Sequence, residues 1–292
     1  MNVSYEKAGR VIAMYESMHE YPPPVALKGT ILDRIVRAKL RELVGAKAKL
    51  PAASIEMVLH RAANIRSFKG ALAKHKPSVI AEVKRASPSA GIIRESFDAV
   101  EIARQYQKSG AAAISVITEV HHFQGGLESL ARIRWNTQTP LLRKDFIIDP
   151  YQILEARHAG ADAVLLIAAL LDTESLRRFR GEAERLGMDA LIEIHNEPEL
   201  QQALDAGATL IGVNNRDLRT FEVSQEVSLS LARLLPHSVL AIAESGIRTA
   251  DDVRRLSDAG YAGFLIGDQF MRAPSPGAAL SELLSSIKRS VS

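Results

Sequence analysis

Glu82 and Lys84 stand two residues apart in the run Ala81-Glu82-Val83-Lys84-Arg85-Ala86-Ser87-Pro88-Ser89. Side chains on a strand alternate between faces, so Glu82 and Lys84 point one way and Val83 the other. Opposite charges on an inward face are costly unless they pair or do work. A surface ion pair on an edge strand is the plain alternative. Recurrence weighs against it. Leu142, Lys144 and Phe146 share a face opposite Arg143 and Asp145, Glu193 alternates with Ile192 and Ile194, Asn214 shares parity with Arg216, and another apolar run ends at Glu244.

Two lysines with two or three glutamates in an apolar mouth suit proton transfer. Desolvation lowers a buried lysine's pKa and a neighbouring carboxylate raises it, so a poised general acid depends on the balance. A lysine here also suits a Schiff base, and the carboxylates alone do not separate the two roles.

Glu244-Ser245-Gly246-Ile247 and Ile266-Gly267-Asp268 place small residues at two strand exits, where backbone N–H groups face outward and suit a phosphate. Ser87, in the turn after the first strand, offers a hydroxyl. Asp268 repels a phosphate, so its side chain is expected to turn away and leave only its N–H. Adjacent His121 and His122 diverge on any regular element and read as loop residues rather than metal ligands. His195 shares the parity of Glu193; a structural role is favoured over a supporting one.

These residues need a scaffold, and a weak internal repeat supplies it. Ser109-Gly-Ala-Ala-Ala-Ile-Ser-Val, Ala159-Gly-Ala-Asp-Ala-Val-Leu-Leu, Asp205-Ala-Gly-Ala-Thr-Leu-Ile-Gly and Asp258-Ala-Gly-Tyr-Ala-Gly-Phe-Leu each read as a helix end, a glycine cap and an apolar strand. Strands are expected to begin near Val79, Ala112, Pro140, Ala163, Asp189, Leu210, Val239 and Gly263, roughly 20 to 35 residues apart. Amphipathic segments between them include Val100–Lys108, Tyr151–Ala159, Glu174–Leu186, Glu197–Ala206 and Thr249–Ala259. Continuous apolar strands alternating with helices predict an α/β fold, a (β/α)8 TIM barrel, rather than a doubly wound open sheet. The working groups would then gather where strands leave the C-terminal rim.

Residues 1–77 are expected to form an N-terminal extension with helices over Thr30–Val44 and Ser54–His60, and residues 78–292 the single catalytic barrel. Tyr21-Pro22-Pro23-Pro24 reads as a stiff spacer. With 37 basic against 34 acidic residues, 5% aromatics and no long Lys/Arg run, nucleic-acid binding is not indicated. The longest apolar stretch, Ala163 to Leu171, is too short to span a bilayer, and the N-terminus lacks a signal-peptide pattern. Zero cysteines exclude disulfides and fit a cytoplasmic enzyme. There is no P-loop, dinucleotide fingerprint or metal-ligand spacing, so no cofactor is expected. The expected partner is a small-molecule substrate, with no nucleic acid and no membrane, and the expected form a monomer with oligomers left open.

From about Thr30 onward the chain resembles the indole-3-glycerol phosphate synthase family. The matching stretches are Ile80-Ala-Glu-Val-Lys-Arg-Ala-Ser-Pro-Ser, Phe123-Gln-Gly-Gly-Leu-Glu, Leu142-Arg-Lys-Asp-Phe-Ile-Ile-Asp-Pro-Tyr-Gln, Leu191-Ile-Glu-Ile-His, Ile211-Gly-Val-Asn-Asn-Arg-Asp-Leu and Glu244-Ser-Gly-Ile. The resemblance implies ring closure of 1-(2-carboxyphenylamino)-1-deoxyribulose 5-phosphate to an indole, with loss of carbon dioxide and water and no cofactor. It implies a catalytic set of Glu82, Lys84, Lys144, Glu193, Asn214 and Glu244. Arg216 would hold the anthranilate carboxylate; Ser87, Ser245, Gly246, Gly267 and Asp268 the phosphate; and Phe146, Leu165 and Leu218 the aromatic ring. The helix near Thr30–Val44 would lie over the barrel mouth as a lid.

Two departures stand out. Gly267-Asp268-Gln269 replaces the family's frequent Gly-Glu-Ser, which predicts weaker phosphate affinity. His121-His122 replace a proline-containing turn. Phosphoribosylanthranilate isomerase, the nearest alternative enzyme, needs a cysteine that this chain lacks, and a non-catalytic sugar-phosphate-binding barrel would be expected to have lost some of these charges.

Overall fold

The computed structural model describes residues 30–74, 76–218 and 220–289. The proline spacer and the arm before Thr30 lie outside them. Eight strands run parallel: β1 (Ser78–Val83), β2 (Ala113–Ile117), β3 (Leu141–Lys144), β4 (Ala163–Ile167), β5 (Asp189–Ile194), β6 (Leu210–Asn214), β7 (Leu240–Glu244) and β8 (Gly263–Ile266). Each pairs with its sequence neighbours and β8 pairs back onto β1, with Ser78 beside Gly263 and Ala81 beside Ile266, so the barrel is closed. Every strand start falls within one residue of its expected position. The agreement has a physical basis: parallel strands covered by helices are apolar on both faces and stand out as short unbroken runs.

The repeat marks the helix ends as expected. Gly110, Gly160, Gly207 and Gly260 all take positive φ just beyond a helix, where a side chain would be strained. Several helices around the barrel start on side-chain caps: Asp98 over Val100 and Glu101, Asp172 over Ser175, Asn196 over Glu199, and a reciprocal Thr249–Asp252 box.

Before the barrel come α1 (Ile31–Lys49), α2 (Ala52–Val58) with a following 3-10 turn at Leu59–Arg61, and α3 (Phe68–Lys74). Helix α1 continues beyond the expected end at Val44. A single glycine costs a helix only about 1 kcal/mol, and Gly45 is followed by the good helix formers Ala46 to Lys49. The stop comes at Leu50, held extended by the proline after it.

Leu32, Val36 and Leu40 of α1 join the hydrophobic core of the barrel. Leu43 and Ile55 instead pack with Tyr151 and Leu154. Each such side chain, once buried, contributes about 2 kcal/mol. Polar moorings set the angle: Lys39 Nζ lies 3.0 Å from Asp145 and Lys47 Nζ 2.7 Å from Asp149, while Tyr151 donates its hydroxyl hydrogen to the Leu50 carbonyl at 2.8 Å. All of these partners lie just past β3, so α1 is fastened beside the strand that carries Lys144.

Candidate active site

A cavity of about 190 Å³ opens at the C-terminal ends of the strands. Its floor holds two cation–carboxylate groups. At the end of β1, Lys84 Nζ lies 2.8 Å from Glu82 Oε1 and 2.6 Å from Asp268 Oδ1. At the end of β3, Lys144 Nζ lies 3.0 Å from both Glu193 on β5 and Glu244 on β7. Asn214, at the end of β6, accepts the Arg216 N–H at 3.0 Å and also hydrogen-bonds Glu193, tying β6 to β5. One wall is apolar: Phe146, Leu165 and Leu218 line it with Ile31, Leu32 and Ile35 of α1.

Small residues let these groups approach. A Cβ on Gly212 would sit 2.0 Å from Glu244 Oε1, and one on Gly267 would sit 2.3 Å from Glu82 Oε1. The side-chain carboxylates therefore rest directly against neighbouring backbone. At the β7 exit Ser245 and Gly246 take positive φ of 64° and 73° in succession, a sharp turn that bares the loop's backbone to the cavity.

Burial works against every charge here, and the partners decide the outcome. For Lys84, desolvation is outweighed by Glu82 and Asp268, which raise its pKa. For Lys144, desolvation is outweighed by Glu193, Glu244 and Glu82, and its pKa is also raised. Both lysines are ammonium ions at neutral pH. Burial would raise Glu193, but Lys144 and His195 hold it well below the usual carboxylate range. Glu244 goes the other way: burial and repulsion from Glu193 exceed the pull of Lys144 and push it up to about 7. Two carboxyl groups on one ammonium titrate as a pair, with the higher pKa on the Glu244 side.

All the expected site residues except Ser87 line the cavity: Glu82, Lys84, Lys144, Phe146, Leu165, Glu193, Asn214, Arg216, Leu218, Glu244, Ser245, Gly246, Gly267 and Asp268. Ser87 belongs to a small antiparallel ribbon, Ala86–Ser87 against Gly91–Ile92, and its hydroxyl accepts the Ala90 N–H at 3.3 Å. Accepting that one hydrogen bond leaves the hydroxyl its hydrogen to donate, as the expected phosphate contact requires. Asp268 does not turn away. Besides Lys84 it meets Arg216 at 3.4 Å, because two cations attract it more than solvent does.

Two features escaped the sequence reading, and a third, His195, was read there only by its parity. Glu119, buried just past β2, lines the cavity and accepts the N–H groups of His121, His122 and Phe123 at 3.1, 2.7 and 2.9 Å, shaping the loop that holds both histidines. Lys39 is buried to 2% exposure against Asp145, which also accepts from Thr118 and Arg143. His195 lies 3.5 Å behind Glu193. Glu119 had a sequence signal as an acid two residues past a strand, and Lys39 had none. Among the described residues no cluster of His, Asp and Glu suits a metal ion, and no helix is long and apolar enough to cross a membrane.

A closed barrel with two buried lysine–carboxylate groups, one carboxyl poised near neutrality and an apolar slot in one mouth defines a (β/α)8-barrel enzyme suited to acid–base chemistry. In fold it is similar to thiamine phosphate pyrophosphorylase from Pyrococcus furiosus, with a TM-score of 0.58 and 17% identity over 75% of this chain and 100% of that one. KGPDC from Streptococcus mutans is similar too, with a TM-score of 0.58 and 15% identity over 74% and 99%.

Sequence narrows the class. The family model described as indole-3-glycerol phosphate synthase matches residues 32–283. Proteins of that description from Albidiferax ferrireducens and Koribacter versatilis are 46% and 52% identical, covering 87% and 75% of this chain and 97% and 85% of theirs. The chain belongs to the indole-3-glycerol phosphate synthase family. Its activity is that of a decarboxylating carbon–carbon lyase in tryptophan biosynthesis.

Proposed function

We propose that this mouth binds 1-(2-carboxyphenylamino)-1-deoxyribulose 5-phosphate and closes its indole ring through Lys144, Lys84, Glu193 and their partners. Ring closure joins the ring carbon bearing the carboxylate to the ketone carbon, and the ketone oxygen takes a proton from Lys144. The ring carbon then loses carbon dioxide, its bonding electrons flowing into the iminium. Departure of the hydroxyl as water needs a second proton, assigned to Lys84, while Glu193 removes a proton from the adjacent carbon.

What supports the reading best is the pair of ammonium groups from separate strands, each clasped by two carboxylates and facing one cavity. A Schiff base needs a neutral amine, and both lysines are held charged. Glu82 and Glu244 fix the lysines and Asn214 orients Glu193. Arg216 takes the anthranilate carboxylate, and Phe146, Leu165 and Leu218 hold its ring. Ser87, Ser245, Gly246, Gly267 and the Asp268 N–H receive the phosphate. Residues 1–77 act as an extension whose α1 covers the mouth, and residues 78–292 as the catalytic unit. The cysteine-free composition suits the cytoplasm.

The test is to incubate the purified chain with this substrate and follow indole fluorescence. Turnover by the unaltered chain, with kcat down roughly 10²- to 10⁴-fold in Lys144→Met and Glu193→Gln, is expected. Near-normal rates in both Lys144→Ala and Lys84→Ala would end the assignment.

A further inference from the structure

The proposed reaction consumes one proton per turnover. Protonating the ketone oxygen and expelling water take two, and removing the carbon-bound hydrogen returns one; the carboxylate leaves as neutral carbon dioxide. Lys144 gives up its proton at ring closure, before Glu193 takes the carbon-bound hydrogen, so it is recharged from outside in a mouth covered by α1. The hydrogen that Glu193 takes later leaves by the same path in reverse, and solvent at the cavity refills Lys84, so that one proton is consumed in all.

His195 stands where a proton would enter. It follows β5 directly, is not part of the cavity wall, and its side chain is 12% exposed. Glu199, in the first turn of α8 (Glu197–Asp205), fixes it from behind. Glu199 Oε2 accepts the His195 backbone N–H at 2.8 Å and lies 3.0 Å from ring Nδ1, while Oε1 accepts from Asn196 at 2.8 Å. A carboxylate cannot donate, so Nδ1 carries hydrogen and the other nitrogen faces inward. That nitrogen, Nε2, is 3.5 Å from Glu193 Oε1 and has no hydrogen-bond partner, while Glu193 Oε2 holds Lys144 at 3.0 Å.

We propose that His195, oriented by Glu199, is a positioning and relay residue that passes a solvent proton through Glu193 to Lys144. The step rests on the reaction assigned above. The Nε2–H bond breaks as an O–H bond forms on Glu193 Oε1, and the imidazole keeps its Nδ1–H on Glu199. A half-turn of the carboxyl group presents the proton to Lys144, whose N–H bond reforms. Water then recharges the imidazole. The charged groups facing the ring are Glu193 on its own strand, Glu199 on α8 and, farther off, Glu244 on β7. Burial would lower the imidazole's pKa; these three carboxylates raise it, so it remains charged above the ordinary histidine range.

The experiment compares pH–rate profiles and melting curves of the unaltered enzyme, His195→Gln and Glu199→Gln. Hydronium makes a relay dispensable at acid pH and its scarcity makes it necessary above neutrality. His195→Gln should therefore lose roughly tenfold in kcat at alkaline pH, with KM and the melting temperature little changed, and added imidazole should restore the rate. Glu199→Gln should show the same alkaline loss in weaker form. Parallel profiles for unaltered and His195→Gln enzyme, or a loss uniform in pH that imidazole does not rescue, would overturn the relay. Absence of turnover in the unaltered enzyme would instead overturn the reaction assignment and the relay with it.

Discussion

Asp268 sets a negative charge in the mouth assigned above to an anionic substrate. Its carboxylate holds Lys84 at 2.6 Å and reaches Arg216 at 3.4 Å, and Lys84 and Arg216 keep its pKa below the usual range despite burial. Before substrate settles, those cations must exchange one anion for another. Asp268→Ser is expected to lower KM roughly threefold at low ionic strength, and less in high salt, where exposed charges are screened. Initial rates at the two salt concentrations check this; an unchanged or higher KM would show that the carboxylate does not compete. The residue's type and position were legible, but its direction was not. Its partners come from the ends of β1 and β6, and no local pattern tells a strand-exit acid which cations will face it. The inward lysines and glutamates were legible because strand parity is a local property and fixes a face without knowledge of neighbours.

At the scale of elements, α1 is coupled to β3 through a buried ion pair. Lys39 and Asp145 are both almost fully covered, and Arg143 at 3.1 Å shares the carboxylate. Removing one partner of a buried pair leaves an uncompensated charge. Lys39→Met should destabilise the protein by about 3 kcal/mol, near the low end of the range because Arg143 and Thr118 still serve Asp145. The urea midpoint measures it, and a shift of under a third of that would mean that solvent reaches Asp145 when α1 lets go. KM should rise as well, since Ile31, Leu32 and Ile35 of the same helix close the cavity. Helix boundaries show where sequence reasoning loses resolution. The ends marked by the glycines of the repeat were legible, but Gly45 was not a stop, because a helix docked on a core tolerates a weak residue that an isolated one would not.

For the molecule as a whole, closure of the sheet matters most. Every strand has two bonded neighbours, and the charged and amide groups of the mouth stand on β1, β3, β5, β6 and β7. No strand can leave without breaking its pairing on both sides, so none of these groups keeps its place alone. Loss of activity and loss of far-ultraviolet dichroism from the barrel should therefore coincide in a denaturant titration. Activity vanishing at clearly lower denaturant, with the barrel signal intact, would show instead that a separately melting part completes the site. The barrel was legible in the sequence because its repeat is written in short-range signals, whereas the Glu119 clasp and the buried Lys39 depend on which loops happen to meet.

Gly212 and Gly267 perform no chemistry, and a survey of reactive groups would pass over both. Yet the hydrogen that each carries in place of a methyl is all that separates the barrel wall from the oxygens of Glu244 and Glu82. A drifting lineage has broad freedom in the outer helices and almost none beneath these two acids. Enlarging the repertoire of this scaffold would have to begin above the carboxylates, at the apolar slot, because a side chain on either glycine would push these acids out of place.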